Sequence, residues 1–289
     1  MPNEPIIKCE LASETREKID KFTEALKEGA HSLGDHGLTK QEFIDSGIFR
    51  SAIEKIRGTQ AASTNEKKEF IADILEFLKK KKFISSWDFT GASERHDYEV
   101  KFDDYTCIIE AKGCLDGNNT NIFERPANAD EFIIWSLCQN PGSDPRKNAW
   151  SGLHTRLSAE IIHRKQIVDG VIIWDMLCGT LGRPCPKYDY DKKKKTLVKS
   201  RLLTPPCLYT LPKSLPNARN NPEPVPQKTE NIRFLNVLLK AFKGTETKDT
   251  TEVMIKARMD GNNLQRKTEF FRAGELISES NWTTVNRAK

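Results

Sequence analysis

The stretch from Glu94 to Gly113 reads as a two-stranded hairpin, and its alternation constrains the fold more than any other feature of the chain. With Asp103-Asp104 as a two-residue turn, Phe102 faces Tyr105, Val100 faces Cys107, and Asp97 falls opposite Glu110. Side chains in a strand alternate between faces. Tyr98, Val100, Phe102, Tyr105, Cys107, Ile109 and Ala111 therefore form one apolar side suited to a core. Asp97, Glu99, Lys101, Thr106, Glu110 and Lys112 share the other side, where only Ile108 interrupts the polar set.

This register carries an electrostatic problem. Directly opposed residues hold their Cβ atoms roughly 5 Å apart. Two like charges at about 4 Å repel by on the order of 4 kcal/mol at an effective dielectric near 20. A divalent cation would turn that repulsion into binding energy. Mg²⁺ takes one or two carboxylates and fills its octahedron with water and phosphate oxygens, so Asp97 and Glu110 make a plausible pair of ligands, with Mn²⁺ as a substitute. Lys112, two residues past Glu110 on the same face, is placed to orient a water or to offset charge building on phosphorus. The competing interpretation is a solvated hairpin in which Glu110 and Lys112 merely pair.

The Asp97, Glu110-x-Lys112 set, on strands preceded by a helix, resembles the PD-(D/E)xK nuclease superfamily, which includes many type II restriction endonucleases and Holliday-junction resolvases. The likeness spans about residues 66 to 174, less than half the chain. His96 stands where that family usually has proline. The resemblance implies an α/β fold with a restriction-endonuclease-like core, a mixed central sheet flanked by helices. It also implies Mg²⁺-dependent hydrolysis of double-stranded DNA, leaving a 5′-phosphate and a 3′-hydroxyl, with Asp97, Glu110 and Lys112 catalytic. Glu66, Glu99 and Gln166 are possible additions to the site. Many relatives act as homodimers on palindromic DNA.

The surrounding pattern agrees with this layout. Ser63 to Lys82 has a Ser-x-x-Glu capping box, Ser63 with Glu66, and an apolar stripe of Phe70, Ile71, Ile74, Leu75 and Leu78. A strand is expected over 130–138, a helix over 148–166 with Leu153, Leu157 and Ile161 inward, and a buried strand over 168–176.

The flanks divide the chain into four regions: a helical N-terminal region 1–60, the nuclease core 61–204, a linker 205–228, and a C-terminal α+β region 229–289. The stretch 205–226 holds seven of the fourteen prolines and should be extended and irregular. Beyond it a helix near 231–242, a strand over 252–259 and an Asp260-Gly261-Asn262-Asn263 turn are expected. Residues 38–57 fit a helix-turn-helix, or a plain helical hairpin, with Arg50, Lys55 and Arg57 available to DNA. Lys256, Arg258 and Arg266 are candidate DNA contacts at the other end of the chain.

The net charge of +5 is modest but unevenly placed, with tetralysine runs at 79–82 and 192–195 and a basic C-terminal tail. Such clusters suit a polyanion, although each alone is explained as a solvated surface. Seven cysteines at irregular positions do not form a disulfide framework, and Cys178, Cys185 and Cys207 lack the spacing of a zinc site. No apolar run is long enough for a bilayer and no signal peptide is evident, so a cytoplasmic protein without membrane attachment is expected. Two rival functions remain open: a structure-specific repair, recombination or transposition nuclease, and an inactive DNA-binding module.

Overall fold

In the computed structural model the described residues are 64–90, 96–112, 124–138, 145–175, 188–191, 196–199, 206–242 and 250–285, with single positions at Lys21, Leu115 and Ile122. The N-terminal region with Arg50, Lys55 and Arg57, the run 192–195, and Cys178 and Cys185 lie outside them.

The chain enters through α1 (Thr64–Lys80), whose Ile71, Ile74, Leu75 and Leu78 are fully buried. Spacings of three and four residues put these side chains on one stripe, and that stripe needs an apolar surface to cover. The surface is a mixed sheet. Its first strands are β1 (Ser86–Phe89), β2 (Tyr98–Phe102) and β3 (Tyr105–Lys112), paired antiparallel. Then β4 (Glu131–Cys138) and β5 (Gly170–Asp175) run parallel to β3. A helical crossover joins β4 to β5: α2 (Pro145–Gly152), a π-helical turn (Leu153–Leu157) and α3 (Ser158–Arg164).

A separate two-stranded sheet is formed by β6 (Tyr188–Asp191) and β7 (Thr196–Lys199). The large sheet continues with β8 (Cys207–Thr210), antiparallel to β5, and β9 (Thr250–Asp260), parallel to β8. It ends with β10 (Asn263–Arg272) and β11 (Glu275–Glu279), while β12 (Thr283–Thr284) also pairs with β10. The order across its ten strands is β1-β2-β3-β4-β5-β8-β9-β10-β11, with β12 off the path. The molecule is thus an α/β protein with a mixed sheet. The elements beyond the prolines continue this sheet through the β8–β9 pairing.

Two apolar layers hold the sheet. On one face α1 and α4 (Arg233–Phe242) cover Tyr98, Val100, Cys107, Ile109, Trp135, Ile172 and Leu208. On the other, Leu153, Leu157 and Ile161 cover Ile108, Ile134, Val171, Ile173, Val253, Ile255 and Phe270. Full burial of such aliphatic and aromatic side chains stabilises by about 1.5–3 kcal/mol each before entropy is charged against it. Ile108, the apolar exception on the hairpin's polar side, contributes to this second core.

Where the prolines lie, β8 is a strand that the sequence pattern did not reveal. Pro205 and Pro206 precede it and Pro212 follows, so its four residues keep every ladder N–H. The remainder of that stretch is irregular, with single bridges between Pro212 and Pro226 and between Asn217 and Asn221. Among the described residues no helix is long and apolar enough to cross a membrane.

Candidate active site

The β2–β3 hairpin has the expected register: Phe102 opposite Tyr105, Val100 opposite Cys107, and Tyr98 opposite Ile109. Its turn is anchored from two sides. Ser85 Oγ donates to Asp103 Oδ1 at 2.8 Å, and Arg233 Nη1 donates to Asp104 Oδ1 at 3.0 Å. Arg233 also lies over the Phe102 ring, 4.7 Å from its centroid. With the turn fixed, each side chain on either strand has an assigned face.

Asp97 stands just before β2, and its own N–H still donates to Ile109 O at 3.1 Å. There its carboxylate folds onto the neighbouring strand, where Oδ2 accepts the Ala111 N–H at 2.8 Å. Ala111 is flanked by Glu110 and Lys112. Glu110 is 6% exposed, and Lys112 Nζ donates to Glu110 Oε1 at 2.6 Å. Asp97, Glu110 and Lys112 are therefore gathered around one residue of β3, two carboxylates with one ammonium.

The opposite side of the hairpin is locked into the first core. Tyr98 is buried, and its hydroxyl donates to Lys68 O on α1 at 3.1 Å. Burial, reinforced by the adjacent Asp97 charge, pushes the Tyr98 phenol up from its ordinary range. Gly152 packs against Leu115. A Cβ at Gly152 would lie 2.3 Å from Leu115 Cβ and 2.7 Å from Leu115 O, so only glycine allows α2 this close to Leu115.

Other sequence candidates sit elsewhere. Glu99 pairs with Lys101 Nζ at 3.1 Å and lies opposite Asp88 and Ile108. Gln166 Oε1 accepts Arg125 N at 3.3 Å, next to Asp169 at the start of β5. Glu131, opposite Cys107, marks that end of β4, whereas Lys112 is opposite Ser136, five residues on; the separation is roughly 16 Å along the strand. Gln166 is thus at the far end from Glu110. Glu66 falls in the first turn of α1.

The C-terminal cations are engaged within the protein. Lys256 Nζ contacts Glu223 at 3.3 Å and Glu269 at 3.1 Å. Arg258 donates to Gln265 at 3.0 Å and stacks on Trp282, 4.2 Å from its centroid. Arg266 is only 3% exposed, and its Nη2 donates to Thr155 O at 2.8 Å within the π-helical turn. Burial lowers its guanidinium to about 10.

Two buried carboxylates that the sequence pattern did not single out also lie on this sheet. Glu131 accepts the Arg233 N–H at 2.5 Å and the Phe234 N–H at 3.1 Å, capping α4 from another element. Asp169 accepts the Phe132 N–H at 2.8 Å and Gln227 Nε2 at 3.0 Å, and contacts Arg125 Nη1 at 3.4 Å. An acid opening an apolar strand or its approach, as in Glu131-Phe-Ile-Ile and Asp169-Gly-Val-Ile-Ile, was the available signal.

Among the described residues no group of three or more His, Cys, Asp or Glu side chains is gathered for a metal. Asp97 and Glu110 offer only oxygen ligands, which suits a hard cation that keeps most of its water. The chain matches no family model, no curated protein and no solved structure.

Proposed function

We propose that this chain is a Mg²⁺-dependent endonuclease of double-stranded DNA, and specifically a site-specific restriction endonuclease of type II. One observation carries the reading: the Asp97 carboxylate sits on the Ala111 N–H, between Glu110 and Lys112. Acids placed beside acids in a partly buried setting are costly for stability, and such arrangements cluster at catalytic centres. The order α1, β2, β3, β4, helical crossover, β5, with helices on both faces of a mixed sheet, supports a restriction-endonuclease-like core.

In this reading Asp97 and Glu110 hold the cation. Mg²⁺ bound there would supply Lewis acidity and a more acidic water. Lys112 keeps Glu110 in place and presents its ammonium towards the reacting phosphate, where it orients the attacking water or offsets transition-state charge. Attack in line on phosphorus forms a new P–O bond and breaks the bond to O3′. The products are a 5′-phosphate and a 3′-hydroxyl. Mn²⁺ should replace Mg²⁺, a homodimer would match a palindromic site, and a cytoplasmic location would give access to DNA.

The test is incubation of the purified protein with plasmid DNA and Mg²⁺, followed by sequencing of the fragment ends. Discrete bands with one shared end sequence are expected. A smear, or preferential cutting of branched DNA, would replace site specificity with structure specificity. Salt-sensitive binding without any cutting in Mg²⁺ or Mn²⁺ would reduce the protein to a binding module.

A further inference from the structure

We infer that the cavity between the end of α3, the loop 215–221 and the tip of the β9–β10 hairpin is a site for a free nucleotide, with Lys165 and Arg219 on its phosphate and Asn220 on the edge of its base. The site is separate from Asp97, Glu110 and Lys112, because Lys165 directly precedes Gln166 at the opposite end of the sheet. It stands whether or not the chain cuts DNA.

The cavity has a volume of about 700 Å³. Pockets that take small organic ligands and cofactors usually hold roughly 300–1,000 Å³. Its floor is apolar. Ile162 of α3 belongs to the second core, and Leu264 of β10 and Leu215 of the loop pack against that core. Met259, near the end of β9, completes the floor and is 45% exposed. A flexible thioether left open to water beside such a floor is suited to cover a flat ring.

The loop presents two of its side chains. Asn217 and Asn221 exchange backbone hydrogen bonds at 2.8 and 3.0 Å, Asn217 Oδ1 accepts the Arg219 N–H at 2.9 Å, and Asn221 Nδ2 donates to Ser214 Oγ at 3.0 Å. Two asparagines thus hold the turn. Arg219 and Asn220 stand exposed within it, and their side chains make no hydrogen bond or ion pair among the described residues. Lys165 ends α3 in the left-handed region, φ 53°, where glycine is the usual occupant. Its ammonium is also unpaired among the described residues, although Arg164, one position earlier, is paired with Glu160 at 2.6 Å. Lys228, Lys256 and Lys267 all contact glutamates. Among the described residues that line the cavity there is no carboxylate. Two cations without a counter-charge in an acid-free concavity favour an anion.

Phosphate suits both cations, as a guanidinium forks onto its oxygens and an ammonium meets it as a point charge. Inorganic phosphate would leave the apolar floor and most of the volume unused. A nucleotide uses all three parts: its phosphate meets the cations, its ring face meets Met259 and Leu264, and its ring edge meets the Asn220 amide, which both donates and accepts.

Isothermal titration calorimetry of the full chain tests this, with a chelator present so that no metal joins Asp97 and Glu110. The probes are the 5′-monophosphates of adenosine, guanosine, cytidine and uridine, the parent nucleosides, and inorganic phosphate. At least one nucleotide should bind saturably, once per chain, and more tightly than its nucleoside or phosphate alone. Arg219→Gln and Lys165→Gln should each weaken it by about tenfold to a hundredfold, the range for one hydrogen bond to a charged group. Asn220→Ala should reduce the preference for one base over the others. Lys240→Gln removes the same charge from α4, on the other face of the sheet, and should leave binding unchanged. All four positions are exposed, so the substitutions spare the fold. No binding by any of the nucleotides, binding no tighter than that of phosphate, or affinity unmoved in Arg219→Gln and Lys165→Gln would overturn the site. So would binding of a short DNA duplex that these two substitutions abolish while no mononucleotide binds, which would make the surface a DNA contact. A protein that binds nucleotide here and cuts no plasmid loses the endonuclease reading and keeps this site.

Discussion

Two pairs of buried or half-buried carboxylates lie towards opposite ends of the β3–β4–β5 part of the sheet, and they are held in different ways. Towards the start of β4 and β5, Glu131 and Asp169 are surrounded by donors: two helix N–H groups for one, and a strand N–H, an amide and a guanidinium for the other. Towards the end of β3, Glu110 pairs with the Lys112 ammonium while Asp97 accepts the N–H of the residue between them. The first pair is a scaffold. A buried acid surrounded by donors is accounted for by structure alone, whereas two acids gathered beside one ammonium are the candidate site proposed above.

The contrast can be broken most sharply at Lys112. Replacing it by methionine should slow DNA cleavage by about a hundredfold to a thousandfold, the range for removing one preorganised transition-state donor, with DNA affinity little changed. A Lys112→Met protein that cuts at the parental rate would place the chemistry elsewhere. At the scaffold end the effect should be on folding. Glu131→Ala leaves two N–H groups of α4 without their acceptor and should cost roughly 2–4 kcal/mol, measured by urea unfolding, without altering cleavage by the folded fraction. Equal stability of variant and parent would remove the cap from the account.

Smaller effects sharpen the same distinction. Asp97→Asn relieves the repulsion with Glu110, so in chelator the variant should unfold at a higher temperature than the parent, by a few degrees for about 1 kcal/mol. A lower Tm would mean that Asp97 is scaffold after all. Glu131 should leave a pH signature. Burial raises its carboxyl above the ordinary range, against the hydrogen bonds from Tyr105 and the helix, so the folded state holds that proton more tightly than the unfolded chain. Its stabilising contribution is complete below the ordinary glutamate range, near pH 4, and is lost as pH rises through the raised value. The parent should therefore gain stability relative to Glu131→Gln on acidification across that window, a difference seen in paired thermal melts. Parallel pH curves for the two proteins would contradict the assignment.

Much of the candidate site was legible because its determinants are local. A two-residue Asp-Asp turn fixes the register of the strands on either side, and period-two alternation then assigns Glu110 and Lys112 to one face and Cys107 and Ile109 to the other. The buried helices were legible for the same reason, from Leu153, Leu157 and Ile161 at helical spacing. What escaped depends on contacts distant in sequence. Glu131 caps a helix about a hundred residues away, and no local pattern announces that. β1 is too short to show a period, and β8 is masked by flanking prolines. The π-helical turn hides inside an unbroken helical pattern. Its extra residue lets Ser158 N–H reach Leu153 O and leaves Thr155 O to accept the buried Arg266, a candidate DNA contact that instead lies inside the protein.

The central claim, that Asp97 and Glu110 are assembled to cleave DNA with a divalent cation, is tested most directly by following supercoiled plasmid in Mg²⁺ with the parental protein and with Glu110→Gln. The account predicts that the parent converts the plasmid to linear fragments and that Glu110→Gln leaves it supercoiled while still retarding it on a gel. Equal cleavage by both proteins would contradict it.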